Sequence, residues 1–302
     1  MAQQAKTAVV ILNYNSAEHT LRCVAALRAR SEVMPEVLVV DNASAPVDRE
    51  KLAPLTREGI RLVQSGRNLG FSGGMMLGAR QLDADYCLLL NNDCEFQNDV
   101  LAVLQGFMQA HPEAALCSAA MLDESGKPRS SFNYFPSLGH ALFGYGLSRL
   151  LNPRRYPDRR AEHNEPLQVD VVSGAAMFLR SSVFQELGGL DTGYFLYCEE
   201  EDYALRLHRA GWQTWLVPAA KIIHVGGASS QGAELKPRLQ QEFYISFCRY
   251  LRLHYGPLYG MAFRLVTALK LLKRALTGRA PFALVGFVLK GAPEAASLRH
   301  QA

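Results

Sequence analysis

The sequence predicts an α/β fold, a mainly parallel sheet with helices on its faces. Three observations carry that reading. Apolar runs recur at residues 7–12 (TAVVIL), 36–40 (EVLVV) and 86–90 (YCLLL), the mark of buried strands, and residues 60–64 read as a further strand. Helical segments separate them. Three of the runs stop at a polar cluster: Asn13-Tyr14-Asn15, Asp41-Asn42 and Asn91-Asn92-Asp93. Ligands of open α/β sheets bind beyond the carboxyl ends of the strands, so three converging polar ends read as a site, although each alone would be an ordinary turn.

Each element follows in order. The first strand is broken by Asn13-Tyr14-Asn15-Ser16, and Ser16 is expected to cap a helix over about residues 17–30. The second strand ends at Asp41-Asn42-Ala43-Ser44. The third leads into Asn68-Leu69-Gly70-Phe71-Ser72-Gly73-Gly74, read as a Gly-rich turn before a helix over about 75–82. Residues 126–166 mix Gly, Pro, Ser, aromatics and Arg149, Arg154, Arg155, Arg159 and Arg160. That composition predicts an irregular segment, either a lid facing an acceptor or a tolerated surface insertion. A strand is expected over 169–180, with Ser173-Gly174 marking a close backbone approach by a ligand or neighbour. A helix over 203–211 and short strands over 212–218 and 221–225 complete the body.

The 302 residues are 49% hydrophobic and 20% charged, a globular make-up that excludes disorder or a collagen-like repeat as the main state. The formal charge of +4 hides an uneven distribution. From Lys236 onward eleven basic residues face only Glu242 and Glu294, a surplus of +9 that leaves −5 on the first 235 residues. The chain therefore divides into a body, 1–235, and a basic amphipathic helical region, 236–302. In 258–276 the apolar Phe263, Val266 and Leu269 alternate with Arg264, Lys270, Lys273 and Arg274. Such a helix either lies in an anionic membrane interface or packs on the body and shows its cations to water. No apolar run reaches the roughly 18 residues of a spanning helix. Six cysteines without zinc-type spacing suit a reducing compartment, and the N-terminus lacks the apolar stretch of a signal peptide. With the basic charge tied to apolar helices, nucleic acid is not an expected partner.

Three positions can carry chemistry. Asp93 at a strand tip is placed to hold magnesium or manganese, Glu95 could point the same way, and Asn91 and Asn92 could supply neutral oxygens or donors; otherwise Asp93 is a local cap. Glu199-Glu200-Glu201-Asp202 precedes a helix, where the dipole favours acids by about 0.3–1 kcal/mol each. A cap needs one acid, however, and crowding raises carboxylate pKa values toward the range of a general base. His224 could complete a His/carboxylate metal site or be structural.

Taken together, Asn13-Tyr14-Asn15, Val39-Val40-Asp41-Asn42-Ala43-Ser44, the 68–74 stretch and Leu89-Leu90-Asn91-Asn92-Asp93 resemble the family 2 glycosyltransferases. Val172-Ser173-Gly174-Ala175-Ala176-Met177, Gly188-Gly189-Leu190-Asp191, the 195–202 segment, Arg209-Ala210-Gly211-Trp212 and His224-Val225-Gly226-Gly227-Ala228-Ser229-Ser230 are similar to the bacterial rhamnosyltransferase-type branch. The resemblance, over about residues 7–230, implies a GT-A fold: a mixed nucleotide-sugar-binding sheet flanked by helices, here with a basic helical tail. It implies a nucleotide-sugar donor, a divalent cation (Mg2+ or Mn2+) and inversion at the anomeric carbon. Carried over by position, Asn13, Tyr14, Asn15, Asp41 and Asn42 would hold the nucleotide, with Asn68, Gly70, Phe71, Asn91 and Asn92 beside them. Asp93 would be the metal-binding acid of a DxD-like motif, with Glu95 and His224 near it. Glu200 would be the base, with Glu199 as the alternative. Three departures stand out: the DxD-like motif reads Asn-Asn-Asp, Met75 and Met76 replace the family's Asn, and Glu200 replaces Asp.

The resemblance implies transfer of a sugar, with dTDP-rhamnose favoured, to a glycan or lipid-linked saccharide in bacterial surface polysaccharide synthesis. The enzyme would be cytoplasmic and peripheral on the inner face of the membrane. A UDP- or GDP-sugar donor is the alternative, followed by a non-catalytic nucleotide-sugar-binding protein. A dehydrogenase is disfavoured because the first strand leads to Asn-Tyr-Asn and not to a GxGxxG turn. A nucleotidyltransferase would carry a Gly-rich basic loop there, and a non-catalytic relative would be expected to lose Glu200.

Overall fold

The computed structural model describes residues 5–226 and 235–300. Gly227 to Ser230, the end of the last motif, lie outside the described residues. In chain order the elements are β1 (Thr7–Asn13), α1 (Ala17–Arg30), β2 (Glu36–Asp41), α2 (Pro46–Leu52), α3 (Pro54–Arg57), β3 (Arg61–Gln64), α4 (Gly70–Ala79) and β4 (Tyr86–Asn91). There follow β5 (Cys94–Phe96), α5 (Val100–Ala110), β6 (Ala114–Leu122), β7 (Phe132–Asn133), α6 (Leu138–Leu151), β8 (Leu167–Val169), β9 (Val171–Val172) and β10 (Ala176–Arg180). The last are α7 (Ser181–Glu186), α8 (Glu199–Arg209), β11 (Gln213–His224), α9 (Leu235–Tyr255), α10 (Pro257–Leu276) and α11 (Phe282–Leu289). They form two compact units. The first comprises Met1–Tyr134, Arg159–Gly193 and Glu199–Gln231, and the second Phe135–Asp158, Tyr194–Cys198 and Gly232–Ala302.

In the first unit β3, β2, β1 and β4 lie side by side and parallel. Asn13 pairs in register with Asp41, and Leu12 with Asn91, so the polar strand ends meet at one edge of the sheet. The sheet continues β10-β6-β11-β5, with β8 also on β11. β10 is antiparallel to both neighbours, and β5 and β8 are antiparallel to β11. The sheet is thus mixed and not mainly parallel: β10 and β5 are reached without the helical crossover that a parallel neighbour requires. On one face Val9, Ile11, Val39 and Leu90 pack against Cys23, Val24 and Leu27 of α1 and Leu104 of α5. Burial on both faces is why these strands read as unbroken apolar runs.

Several local expectations change. The Gly-rich stretch is not a turn but the first half of α4, which begins at Gly70. A Cβ on Gly74 would lie 2.4 Å from Leu12 Cδ1, and one on Gly78 would lie 2.5 Å from Val10 Cγ1, so glycine lets this helix settle onto the sheet. Tertiary packing here overrides low helix propensity. The strand expected over 169–180 is three short pieces, β8, β9 and β10. The two strands expected after residue 212 are one, β11, whose pairing with β6 shifts register between Val217 and Lys221. Helix α8 starts at Glu199, which places all four acids in its first turn.

The second unit contains α6, α9, α10 and α11. Leu271, Leu284 and Val288 form its small core with Tyr244, Val285 and Phe287. The helix α6, within the segment expected to be irregular, breaks at Gly144 (φ 76°), and the Leu138 N–H donates to the Tyr259 hydroxyl of α10 at 2.9 Å. Among the described residues no helix is long and apolar enough to cross a membrane.

Candidate active site

The site is built where β1, β2 and β4 end. Asn13 closes β1 and is wholly buried. Its amide nitrogen lies 3.1 Å from Asp41 Oδ1, 3.0 Å from Ser44 Oγ and 3.0 Å from Asp48 Oδ2, while its Oδ1 accepts from Thr20 Oγ1 at 2.8 Å. Asn13 therefore ties three segments together from behind. Asp41 is also fully buried, with Arg49 Nε 3.4 Å from its Oδ2. Asn42 anchors the start of α4: its amide donates to Asn68 Oδ1 (2.9 Å) and the Gly70 carbonyl (3.0 Å), and its Oδ1 accepts from the Leu69 N–H (2.9 Å). Asn68 Oδ1 also takes the Gly70 N–H at 2.9 Å, and Gly70 adopts the left-handed φ of 72°.

Asn15 is exposed, with φ 50°, and is pinned by its N–H to Ser44 Oγ (2.9 Å) and by the Ala45 N–H to its Oδ1 (2.8 Å). Tyr14, Phe71 and Asn91 are half-buried. Asn92 turns inward, its amide donating to Ser16 Oγ (2.7 Å) and Thr20 Oγ1 (2.8 Å). This corrects the expected cap: Ser16 Oγ is engaged by Asn92, and the Ala17 N–H is taken by Asp48 Oδ1 at 2.9 Å. Thr20 and Asp48 were missed in the sequence, and Ser44 was legible only as the end of the 39–44 motif, with no role of its own.

The pairing of β5 with β11 sets Cys94 opposite His224 and brings His224 Nε2 to 3.2 Å from Asp93 Oδ1. Asp93, Cys94 and His224 form one cluster, which does not include Glu95. Arg129 holds the end of β11 by donating to the carbonyls of His224 and Val225. Two ligands at about 2.1 Å on adjacent octahedral positions sit about 3 Å apart, so the carboxylate and imidazole fit one small divalent ion. Cys94 fits less well. Burial holds its thiol well above the usual range, and Sγ donates to the Ala175 carbonyl at 3.6 Å.

Beside this cluster, the Asn91 N–H donates to the Ala175 carbonyl at 2.9 Å. One residue earlier Gly174 faces Glu200: a Cβ there would lie 3.4 Å from Glu200 Oε1, and the Gly174 N–H binds the carboxylate. The neighbour expected at Gly174 is thus the Glu200 carboxylate. Burial pushes Glu200 up, partly offset by its own N–H, by Glu201 and by Gly174. Glu201 is pushed well above the usual glutamate range by burial and then by the charge of Glu200, with which it shares a hydrogen bond. Oε2 of each is enclosed without a hydrogen-bond partner. Glu199 is buried, and Asp202 is bound by Arg206 at 2.8 Å.

The sequence profile of Glycosyl transferase family 2 matches residues 8–188. The N-acetylglucosaminyl-diphospho-decaprenol L-rhamnosyltransferase of Mycobacterium tuberculosis is 30% identical over 232 residues, 72% of this chain and 75% of that protein. Rhamnosyltransferase WbbL of Escherichia coli K12 is 32% identical over 146 residues, 48% of this chain and 54% of its own length. Among solved structures, the mannosyltransferase PcManGT of Pyrobaculum calidifontis with GDP-Man and Mn2+ superposes with a TM-score of 0.60 at 12% identity, over 98% of this chain and 83% of that one. GalNAc-T7 with UDP, GalNAc and Mn2+ gives 0.58 at 17% identity, over 93% and 59%. The sheet described above is shared with these GT-A structures.

Proposed function

The chain belongs to glycosyl transferase family 2 and is a rhamnosyltransferase-like glycosyltransferase, and from that premise we propose that it inverts the anomeric carbon of a dTDP-linked deoxysugar while transferring it to a saccharide carried on a lipid diphosphate. The observation that supports this best is the adjacency of two functions on one backbone stretch. Gly174 touches the Glu200 carboxylate, and Ala175 accepts from Asn91 beside the Asp93–His224 pair.

In this reading Asp93 and His224 would hold a divalent cation, with Glu95 on β5 outside their cluster; when bound, the ion would neutralise charge developing on the leaving diphosphate. Tyr14, Asn15, Asn68, Phe71 and Asn91 meet the nucleotide from the accessible side. Asn13, Asp41, Asn42, Gly70 and Asn92 fix the strand ends from behind. Glu200 accepts the proton of the acceptor hydroxyl as its oxygen attacks the anomeric carbon and the bond to the nucleoside diphosphate breaks. Glu199 is the alternative base. The Gly174 N–H orients the Glu200 carboxylate, and its raised pKa makes it a stronger base than a solvated glutamate. The acceptor class follows from the mycobacterial relative's name and from the basic helical region, which would meet a negatively charged membrane on the cytoplasmic side.

Thermal shift of the purified protein with dTDP, UDP or GDP, each with Mn2+ or Mg2+, tests the donor. A dTDP-selective, metal-dependent shift is expected, and a UDP- or GDP-selective one overturns the donor assignment.

A further inference from the structure

The outer faces of the two units differ. Of the eighteen large hydrophobic side chains exposed among the described residues, fifteen belong to the second unit. Their placement is ordered. On α10, Leu258, Met261, Leu265, Leu269, Leu272 and Leu276 recur every three or four residues as an outward stripe. A separate inward stripe, Gly260, Phe263, Ala268, Leu271 and Ala275, supplies the packing. A helix lying on a protein surface ordinarily turns polar residues outward, so the second stripe is surplus to folding. On α6, Leu142, Phe143, Leu147, Leu150 and Leu151 are exposed, and no residue of that helix is buried. The bond from Leu138 to Tyr259 sets α6 beside α10.

Charge points the same way. Neither α6 nor α10 contains Asp or Glu. The single acid of α9, Glu242, is buried and accepts from Ser297 Oγ (2.9 Å) and the Leu298 N–H (2.8 Å). Lys270, Lys273 and Arg274 stand exposed next to the outward stripe of α10. The second unit holds fourteen Lys and Arg against four Asp and Glu, a surplus of +10.

We propose that α6 and α10 together form a docking surface for an anionic lipid bilayer. The outward leucines and Phe143 enter the acyl boundary, while the lysines and arginines reach the headgroups. Stable anchoring takes two signals, and this face supplies an apolar area and a cationic one. A second copy of the chain is the poorer occupant, because an isologous pair would set two cationic faces against each other, each with Arg149, Arg264, Lys270, Lys273 and Arg274 and no acid on its two helices. The proposal rests on the lipid-carried acceptor for its purpose and assigns the meeting surface to two helices, one of them outside the basic C-terminal region.

The test is co-sedimentation of the full chain with phosphatidylglycerol/phosphatidylcholine vesicles or with phosphatidylcholine alone. Binding is expected with the first, at least tenfold weaker with the second, and at least tenfold weaker for Leu142→Ser/Leu147→Ser and for Leu265→Ser/Leu269→Ser. Circular dichroism establishes that each variant is folded. A second, conservative variant, Phe143→Trp, places a reporter on α6, and its emission is expected to be quenched by acyl-brominated lipids. Absence of quenching, equal binding to neutral vesicles, or sedimentation of the lipid-free chain as a dimer dispersed by the same serines overturns the proposal. Donor hydrolysis without vesicles is measured alongside. Its loss in the wild type would count against the transferase reading and leave the vesicle result standing.

Discussion

Glu200 and Glu201 are neighbours in the chain and share a hydrogen bond, and burial acts on both. Their roles differ because the Gly174 N–H and the hydrogen bond with Glu201 support charge on Glu200, whereas the charge on Glu200 opposes charge on Glu201. Glu200→Gln is expected to lower kcat by about 10²–10⁴-fold with nucleotide affinity kept, measured by transfer assay and nucleotide titration. Near-normal turnover would move the base to Glu199. Because burial raises Glu200, the acid limb of kcat/KM should fall at a pH above the ordinary glutamate range. Glu201 favours the fold at low pH, where it is protonated folded and unfolded, and that support is lost as pH rises through its raised folded-state value. Glu201→Gln should therefore raise Tm more at about pH 9 than at about pH 5; an equal gain at both would refute the burial account. The sequence displayed the acids and their crowding, but burial is the first cause of both shifts, and the charge of a neighbouring acid raises only Glu201. Which acid carries charge depends on Gly174 and on enclosure, and the chain order shows neither. His224 was legible as a residue, but its partner Asp93 lies 131 positions away and is brought to it by the pairing of β5 with β11 and by the Val225 N–H bond to the Asp93 carbonyl.

At the scale of elements, strands were easier to read than helices, for a physical reason. Strands buried on both faces leave an apolar run such as TAVVIL, whereas α4 is held by what its residues lack. Gly78→Ala would put a methyl 2.5 Å from Val10 Cγ1, 2.9 Å from Val40 Cγ2 and 3.1 Å from Leu38 Cδ2, and should destabilise the protein by about 1–3 kcal/mol. Gly106, exposed inside α5 with nothing within 4 Å of its Cβ position, is the control. Gly106→Ala should stabilise by about 0.5–1 kcal/mol through helix propensity and unfolded-state entropy. Urea denaturation of both variants checks the pair, and the same sign for both would remove the packing explanation of α4. The helix α6 escaped prediction because a helix with no buried residue has no inward stripe to reveal its period, and Gly144 breaks what pattern remains.

For the molecule as a whole, a net charge of +4 is the sum of two unlike parts. The first unit has eighteen Lys and Arg against twenty-four Asp and Glu, −6, and the second unit +10. Most of that contrast could be read from the run of cations after Lys236; the share of α6 could not, because the segment Phe135–Asp158 joins the C-terminal helices only in the fold. The division predicts how salt acts. From about 0.1 M to about 1 M the screening length falls from roughly 10 Å to roughly 3 Å, which weakens attraction between exposed cations and a lipid surface more than contacts within a buried site. Transfer to a lipid-linked acceptor in anionic vesicles should then fall by about an order of magnitude across that range. Donor hydrolysis without vesicles should change by less than about twofold, because Asp93 and the residues that fix the strand ends from behind, Asn13, Asp41, Asn42 and Asn92, are buried. If both rates fell together, salt would be acting on donor binding, and the cationic unit would have no separate part in bringing enzyme and acceptor together.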